Sequence, residues 1–280
     1  MHSPLEIAKN YIEIGIHKTM LSAFKMVLLG IYAGLFISFA GIASTTASST
    51  IAVASVAKLV GAVVFPAGMA MVLIAGSELF TGNNLIIISV LERKVKLHKM
   101  LKNWFFVYIG NFIGALIVAL LVTFGHTPDL FGKELAQAIV NAGAARTALS
   151  FGDSFIRGIL CNILVCIAVW MAVAAKQVPG KLLVSFWPVM LFVLCGFEHS
   201  VADMYFCLCA LFTSHEYGIT SETLTWTNFF THNLIPVTLG NIVGGVSVGI
   251  GYWLAYLHRT PGAHSSVETE QEDIDIAEEY

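Results

Sequence analysis

Residues 57–91 read AKLVGAVVFPAGMAMVLIAGSELFTGNNLIIISVL, an apolar run too long for one straight membrane crossing and interrupted near its middle by Gly76-Ser77-Glu78. A helix rises about 1.5 Å per residue, so roughly 20 residues cover the hydrocarbon of a bilayer. Residues 182–212 repeat the theme, with Gly196-Phe197-Glu198 inside a second overlong run. Each run is expected to be a helix that stops, frees some of its backbone groups, and starts again. Single spans are expected at about 24–46, 104–124, 155–175 and 234–257, which makes six crossings.

Composition sets the solvent. Of 280 residues, 57% are hydrophobic and 12% charged, against about 25% charged in an average soluble domain. A water-soluble fold of that make-up would lack surface. The runs are far too long for barrel strands, so the fold class is all-α membrane protein. Met1 to Met20 lacks a charged stretch followed by an apolar one, so the first span is expected to act as its own insertion signal.

Three units follow: a cytoplasmic amphipathic N-terminal helix over 1–23, a six-helix transmembrane pore domain over 24–260, and an acidic cytoplasmic tail over 261–280. The net charge of −3 conceals an asymmetry, because seven acids lie after residue 263 and the remainder is mildly basic. There is no basic nucleic-acid face. The five cysteines lack zinc or redox spacing and read as small buried hydrophobes.

Orientation comes from the connections. Lys9, Lys18, Lys25, Arg93, Lys94, Lys96, Lys99, Lys102, Lys176, Lys181 and Arg259 fall on one side, leaving Lys58, Lys133, Arg146 and Arg157 for the other. Both termini are therefore expected in the cytoplasm. Ser3-Pro4-Leu5-Glu6 has the spacing of a helix capping box, and the residues after it mix Ile7, Tyr11 and Ile14 with Lys9, Glu13 and Lys18. That pattern predicts a helix lying on the inner membrane surface. Trp104, Trp226 and Trp253, near span ends, are expected to be interfacial anchors.

The chain repeats itself. Asn103-x6-Gly110-Asn111-x2-Gly114 recurs as Asn233-x6-Gly240-Asn241-x2-Gly244, and Gly76-x-Glu78 followed by Asn83 recurs as Gly196-x-Glu198 followed by Asp203. Two halves of three spans enter the membrane from opposite sides, the logic of an inverted-repeat transporter, whose substrate passes where the interrupted helices meet. The Gly-x3-Gly pairs also suit close helix contact alone.

Glu78, Glu198, His199 and Asp203 are expected deep in apolar spans, where an unpaired charge costs at least about 2.5–3.5 kcal/mol. Glu78 and Glu198 are read as braces that accept the free backbone N–H groups at the breaks. His199, alone among the histidines near the midplane, can donate to an anion and release it; the plainer alternative is a buried histidine bonded to a carbonyl. The Thr81 hydroxyl either faces the same lumen or bonds a carbonyl of its own helix.

These residues resemble a known family. Gly76-Ser77-Glu78-Leu79-Phe80-Thr81-Gly82-Asn83, the Asn103-Trp104…Gly110-Asn111 element, Cys161-Asn162-Ile163-Leu164-Val165-Cys166, Gly196-Phe197-Glu198-His199-Ser200 and Asn233-Leu234-Ile235-Pro236-Val237-Thr238…Gly240-Asn241 are similar to the formate/nitrite transporter family, over about residues 5 to 259. The resemblance implies an aquaporin-like protomer of six helices, interrupted in the second and fifth, assembled as a homopentamer with one pore per protomer. It implies a threonine and a histidine facing each other in that pore, at Thr81 and His199. It places hydrophobic constrictions at Phe65, Leu79, Phe80, Val165 and Phe192, with Asn162 nearby and Met69 where several relatives have leucine. It also implies a substrate among formate, nitrite and hydrosulfide, an N-terminal helix that gates, and no cofactor.

The expected function is passive or proton-coupled passage of a small weak-acid anion, with membrane lipid and four further copies of the chain as partners. A membrane enzyme with a His199/carboxylate or metal site is the first alternative, but no second histidine stands at helical spacing from His199. A neutral-solute channel is the second, but it would carry paired Asn-Pro-Ala half-helices, which this chain lacks.

Overall fold

The structure is a computed structural model, and it describes residues 1–258. The acidic stretch expected over 261–280 lies outside them. Helices dominate: α1 (Pro4–Met20), α2 (Ala23–Ser48), α3 (Ala54–Val64), α4 (Pro66–Ala75), α5 (Ile87–Leu91), α6 (Leu97–Phe124), α7 (Glu134–Thr147), α8 (Phe151–Ala174), α9 (Val178–Leu194), α10 (Ser200–Tyr217), α11 (Trp226–Asn228) and α12 (Ile235–Tyr256). Five helical stretches are long and apolar enough to cross a membrane: Ala23–Ser48, Ala54–Ala75, Leu97–Phe124, Phe151–Ala174 and Trp226–Tyr256; Gly82–Leu91 and Val178–Leu194 are shorter apolar helices. The chain is a multi-pass membrane protein.

The run 57–91 divides as its glycine and proline dictate. Pro66 follows the kink at Phe65 between α3 and α4, where a ring without an N–H cannot continue the ladder. α4 ends at Gly76, whose φ of 79° is left-handed, and the Ser77 N–H donates back to the Val72 carbonyl. α9 ends the same way, with Gly196 at φ 70° and the Phe197 N–H on the Phe192 carbonyl. Both are glycine-terminated helix ends, a conformation that side chains bearing a Cβ rarely adopt. The chain resumes after the first break in a short 3-10 turn, Gly82–Ile86, leading into α5, and after the second directly in α10.

Two tight helix pairs frame the breaks. A Cβ on Gly114 would strike the backbone of Ile31 and Gly34, joining α6 to α2; one on Gly240 would strike the backbone of Phe155 and Ile159, joining α12 to α8. Van der Waals contact at backbone distance is what holds helices together where lipid removes the hydrophobic drive.

α1 begins with the anticipated capping box: the Ser3 side chain accepts from the Glu6 N–H, and Glu6 Oε2 accepts from the Ser3 N–H at 2.6 Å. The backbone hydrogen bond from Ser3 is the largest influence holding the Glu6 carboxyl below its usual range. The apolar face of α1 does not lie on lipid, however. Ile7, Ala8 and Tyr11 are buried together with Leu85, Ile88, Cys166 and Trp170, so the bundle itself covers that face. Trp104 is likewise no interfacial anchor; it is buried, with its Nε1–H on the Asn83 carbonyl at 3.0 Å. Cys195 departs from the expected burial and is exposed at the end of α9, while the other four cysteines are buried.

Candidate permeation site

Each break is held by an asparagine. Asn111 Oδ1 accepts the Phe80 N–H at 3.0 Å, while its Nδ2 donates to the carbonyls of Gly30 (2.8 Å) and Glu78 (2.9 Å). Asn241 Oδ1 accepts the Ser200 N–H at 2.9 Å, while its Nδ2 donates to Gly158 (2.8 Å) and Glu198 (3.1 Å). The Glu78 N–H adds a bond to the Leu29 carbonyl, and the Glu198 N–H one to the Arg157 carbonyl. Freed backbone groups in a low-dielectric interior must find partners. One amide side chain satisfies a donor and two acceptors at once.

The expected role of Glu78 and Glu198 is thereby corrected. Their carboxylates do not accept the freed N–H groups, because the asparagines already do. Glu78 Oε1 instead takes Lys18 Nζ at 2.8 Å, and Oε2 takes Asn83 Nδ2 at 2.6 Å. Glu198 faces Arg146 Nε at 3.6 Å, and the same Nε sits 3.0 Å from Asp203 Oδ1. Arg146 also donates to the Ala142 carbonyl and lies over the Phe206 ring. Neither the asparagines nor Arg146 stood out as site residues in the sequence. The doubled Gly-Asn pair was the available signal for Asn111 and Asn241; Arg146, on a polar helix outside the apolar spans, offered none.

Between the breaks, Thr81 Oγ1 and His199 Nε2 stand 2.9 Å apart, and both residues are buried. His199 caps α10: its Nδ1 accepts the Ala202 N–H at 3.1 Å. With that lone pair engaged, the neutral imidazole carries its proton on Nε2, which donates to the threonine hydroxyl. The Thr81 carbonyl is bonded from below by Asn162 Nδ2 (3.3 Å) and the Cys166 thiol (3.6 Å). Asn162 also reaches the Asn241 carbonyl at 2.6 Å, tying the first break to the second half.

A cavity opens on each side of this pair. The first, about 830 Å³, is lined by Met69, Val72, Leu79 and Val169, with Lys18 and Glu78 in its wall. The second, about 770 Å³, is lined by Phe65, Phe192 and His199, with Lys58, Arg146 and Arg157 around it. Phe192 stacks on His199 with ring centroids 5.7 Å apart and meets Phe65 edge-on at 5.9 Å. Thr81 borders neither cavity and is fully buried, as is Val165 to within 1%. Among the expected constriction residues Leu79 lines the first cavity and Phe65 and Phe192 the second, while Val165 and Phe80 line neither. The Phe80 ring turns from both cavities onto Trp104 and Tyr108, and it lines a lateral apolar groove with Phe230 and Leu239. The chain already turns here, with the Asn83 N–H on the Leu79 carbonyl and Thr81 in the helical region, so Leu79 and Phe80 leave the break in different directions. Among the described residues no group of three or more His, Cys, Asp or Glu is placed to hold a metal ion.

A helical bundle with two opposed cavities that nearly meet at a buried polar pair defines a membrane transport protein. Residues 5–254 match the Formate/nitrite transporter family, and the chain belongs to it. It is 35% identical over 278 residues to a probable formate transporter of Methanothermobacter thermautotrophicus, covering 91% of this chain and 97% of that one. It is 36% identical over 272 residues to the formate channel FocA of Haemophilus influenzae, covering 92% and 95%. A solved pentameric formate channel with formate bound aligns with a TM-score of 0.75 at 35% identity, over 84% of this chain and 98% of that one. A solved ion channel of the same family aligns at 0.77 and 30% identity, over 89% and 98%. The family is one of channels and transporters, not of enzymes.

Proposed function

We propose that this chain conducts small monovalent weak-acid anions of the formate, nitrite and hydrosulfide class across the cytoplasmic membrane, through one passage per protomer of a homopentamer. The observation that carries the reading is the 2.9 Å contact of Thr81 with His199 between two cavities. The protomer crosses the membrane six times, the second and fifth crossings being interrupted at Gly76 and Gly196, and residues 24–260 form the pore unit. Both termini lie in the cytoplasm. The lysine-rich connections support that orientation, as does the bond from the His2 N–H to the Ala174 carbonyl, which joins the N-terminus to the end of α8. The pentameric and formate-binding character of a relative of known structure supports assembly and substrate class.

A bare anion passing Phe65, Phe192, Leu79 and Val165 loses its hydration at a cost of many kcal/mol. Donors at the waist offset part of that loss. The His199 Nε2–H and the Thr81 hydroxyl are the two groups that meet a small anion there. When His199 takes up a proton from water at Nδ1, giving up the bond from the Ala202 N–H, the imidazolium can pass its Nε2 proton to the anion, which returns the ring to neutral and removes the anion's charge for the dry part of the path. Passage is then fastest where protons are available.

Uptake into proteoliposomes tests the reading. Formate, nitrite or hydrosulfide uptake is expected to rise as the external pH falls. His199→Phe keeps an apolar ring against Phe192 but removes the donor, and is expected to abolish the pH dependence and slow uptake by about 10²-fold, the lower range for a positioned proton donor. Unchanged transport in that variant, or no uptake of any of the three anions by the unaltered chain, refutes it.

A further inference from the structure

The lateral groove between α6 and α12 holds about 480 Å³ and is walled by Phe80, Trp104, Phe105, Phe230 and Leu239. Its two hydroxyls are engaged with each other, Tyr108 Oη and Thr238 Oγ1 being 2.8 Å apart. The Trp104 Nε1–H is likewise taken, by the Asn83 carbonyl. A polar occupant would lose its hydration without finding a free partner, so the groove fits hydrocarbon. Tyr108 stands near the middle of the spanning helix Leu97–Phe124 and Thr238 near the middle of Trp226–Tyr256, which puts the groove at the depth of acyl chains.

Tyr108 and Thr238 occupy equivalent places in the repeat, as Asn111 and Asn241 do, so the groove has two equivalent approaches, one along each helix. Along α6 the approach is a stripe of exposed side chains at helical spacing, Leu97, Leu101 and Phe105. Exposed Lys102, three residues before Phe105, flanks it. Lys102 has no carboxylate within ion-pair distance among the described residues. Arg93, Lys94, Lys96 and Lys99, which precede it, are exposed as well. Between Glu78 and Asp129 the sequence holds a single acid, Glu92, and its Oε1 accepts the Trp253 Nε1–H at 2.7 Å. The place equivalent to Lys102 beside the α12 approach holds His232, which carries no permanent charge. The two approaches thus share their apolar character and differ in fixed charge.

We propose that the groove seats an acyl chain of an anionic phospholipid, its phosphate on Lys102 and its chain passing Leu101 and Phe105 to reach Tyr108. From Lys102 to Tyr108 is about 9 Å along the helix, within the roughly 15 Å of hydrocarbon in one leaflet. The four-carbon stem of lysine carries its charge up to the phosphate while lying on the apolar stripe. Buried Phe80 closes the groove toward the bundle and is followed directly by Thr81, so a seated chain steadies the break that carries the waist hydroxyl. This consequence rests on the transport reading above; the docking itself does not.

Photolabelling tests the docking. The full-length chain is placed in vesicles carrying a trace of phosphatidylglycerol or phosphatidylcholine with a diazirine midway along one acyl chain, and labelled residues are located by mass spectrometry. Labels within 104–109 and 235–242 are expected, with phosphatidylglycerol favoured about fivefold at low salt, the preference that one lysine near a membrane surface confers. K102Q is expected to bring the two lipids level without changing thermal unfolding, and Leu239→Trp, which fills the groove, to suppress both. Equal labelling by the two lipids in the unaltered chain, or a preference that survives K102Q, overturns the proposal. So do labels no denser in the groove than at the exposed Phe39 and Leu191. A photoreactive side chain at position 239 that joins two copies, with the groove unlabelled by lipid, also overturns it, since the groove is then an interface between subunits. Formate uptake tests the consequence. K102Q is expected to slow uptake in phosphatidylglycerol vesicles by up to about fivefold, the limit set by the change in occupancy, and to leave it unchanged in phosphatidylcholine. Equal slowing in both lipids, or none in either, overturns the consequence and leaves the labelling to decide the docking. No uptake by the unaltered chain defeats the transport reading instead.

Discussion

In the first half of the molecule the break is steadied by Lys18, Glu78, Asn83 and Asn103; in the second, by Arg146, Glu198, Asp203 and Asn233. The first set is one cation, one carboxylate and two amides, with Asn83 Nδ2 shared between Glu78 and Asn103 Oδ1 (2.8 Å), and Asn103 Nδ2 on the Lys18 carbonyl (3.1 Å). The second places two carboxylates on one guanidinium, with Asn233 Nδ2 a weaker 3.4 Å from Asp203. Asn83 and Asp203 occupy equivalent places in the repeat, so one substitution between the halves adds a buried acid. The two backbone braces make the same three bonds at similar distances; the charges attached to them differ. The scaffold therefore repeats because both breaks pose the same hydrogen-bonding problem, while the side chains between the two cavities are free to differ.

That freedom is plainest at the waist. Leu79 stands where the second half has His199, and Thr81 where it has Val201. A strictly symmetric protein would put two imidazoles or two hydroxyls together. Here each half supplies one member of an unlike pair, a nitrogen donor and a hydroxyl that can relay it.

The largest expected effect comes from the guanidinium. Arg146→Met strands two buried carboxylates, which costs about 3–5 kcal/mol when one partner of a buried pair is removed. Thermal unfolding in detergent measures it, and adding Asp203→Asn is expected to restore about half, because one orphan charge is removed. A double variant no more stable than the single one would mean that Asp203 does not share the cation.

The asparagines come next. Asn111→Leu and Asn241→Leu each leave one backbone N–H at a break without its partner, at about 1–3 kcal/mol, while the Gly30 and Gly158 carbonyls stay inside α2 and α8. Losses equal to within a factor of two in the same unfolding assay are expected, and a large inequality would break the equivalence of the two braces. Lys18→Gln should cost less, about 1 kcal/mol, because Lys18 is partly exposed and its charge is screened. Faster proteolytic clipping within α1 is its expected signature, since Lys18 also joins that helix to the break.

The smallest effect concerns the Glu6 cap. Its carboxyl is held below the ordinary range in the folded chain, so its contribution is complete above that range and disappears as pH falls through the lowered value. Acidification should therefore increase amide exchange in the first turn of α1 before it affects α7, and Glu6→Gln should remove that difference. Simultaneous opening of both helices would show that the cap does not set the order.

Much of the site was legible because polar residues in an apolar run are conspicuous. Glu78, Glu198 and His199 stood out by contrast alone, and positive-φ glycines marked both breaks. Asn111 and Asn241 were visible as a repeat, but their glycine neighbours offered a sufficient reason for it, so the amides went without a task. Phe80 was grouped with Leu79 because the two are adjacent in sequence, which does not fix which way each side chain leaves a helix break. Trp104 and the apolar face of α1 were assigned to the membrane interface since hydropathy cannot distinguish lipid from protein as the covering surface.

By itself the amino-acid sequence determined an all-helical membrane chain with a repeated Gly-Asn element and helix ends at Gly76 and Gly196, because helix length, glycine conformation and the scarcity of charge are properties of local sequence. Only the tertiary structure decided that Thr81 meets His199, that Arg146 serves two carboxylates and that asparagines rather than glutamates satisfy the breaks. Those pairings join groups far apart along the chain. Distance and direction between them exist only once α2 has packed on α6 and α8 on α12.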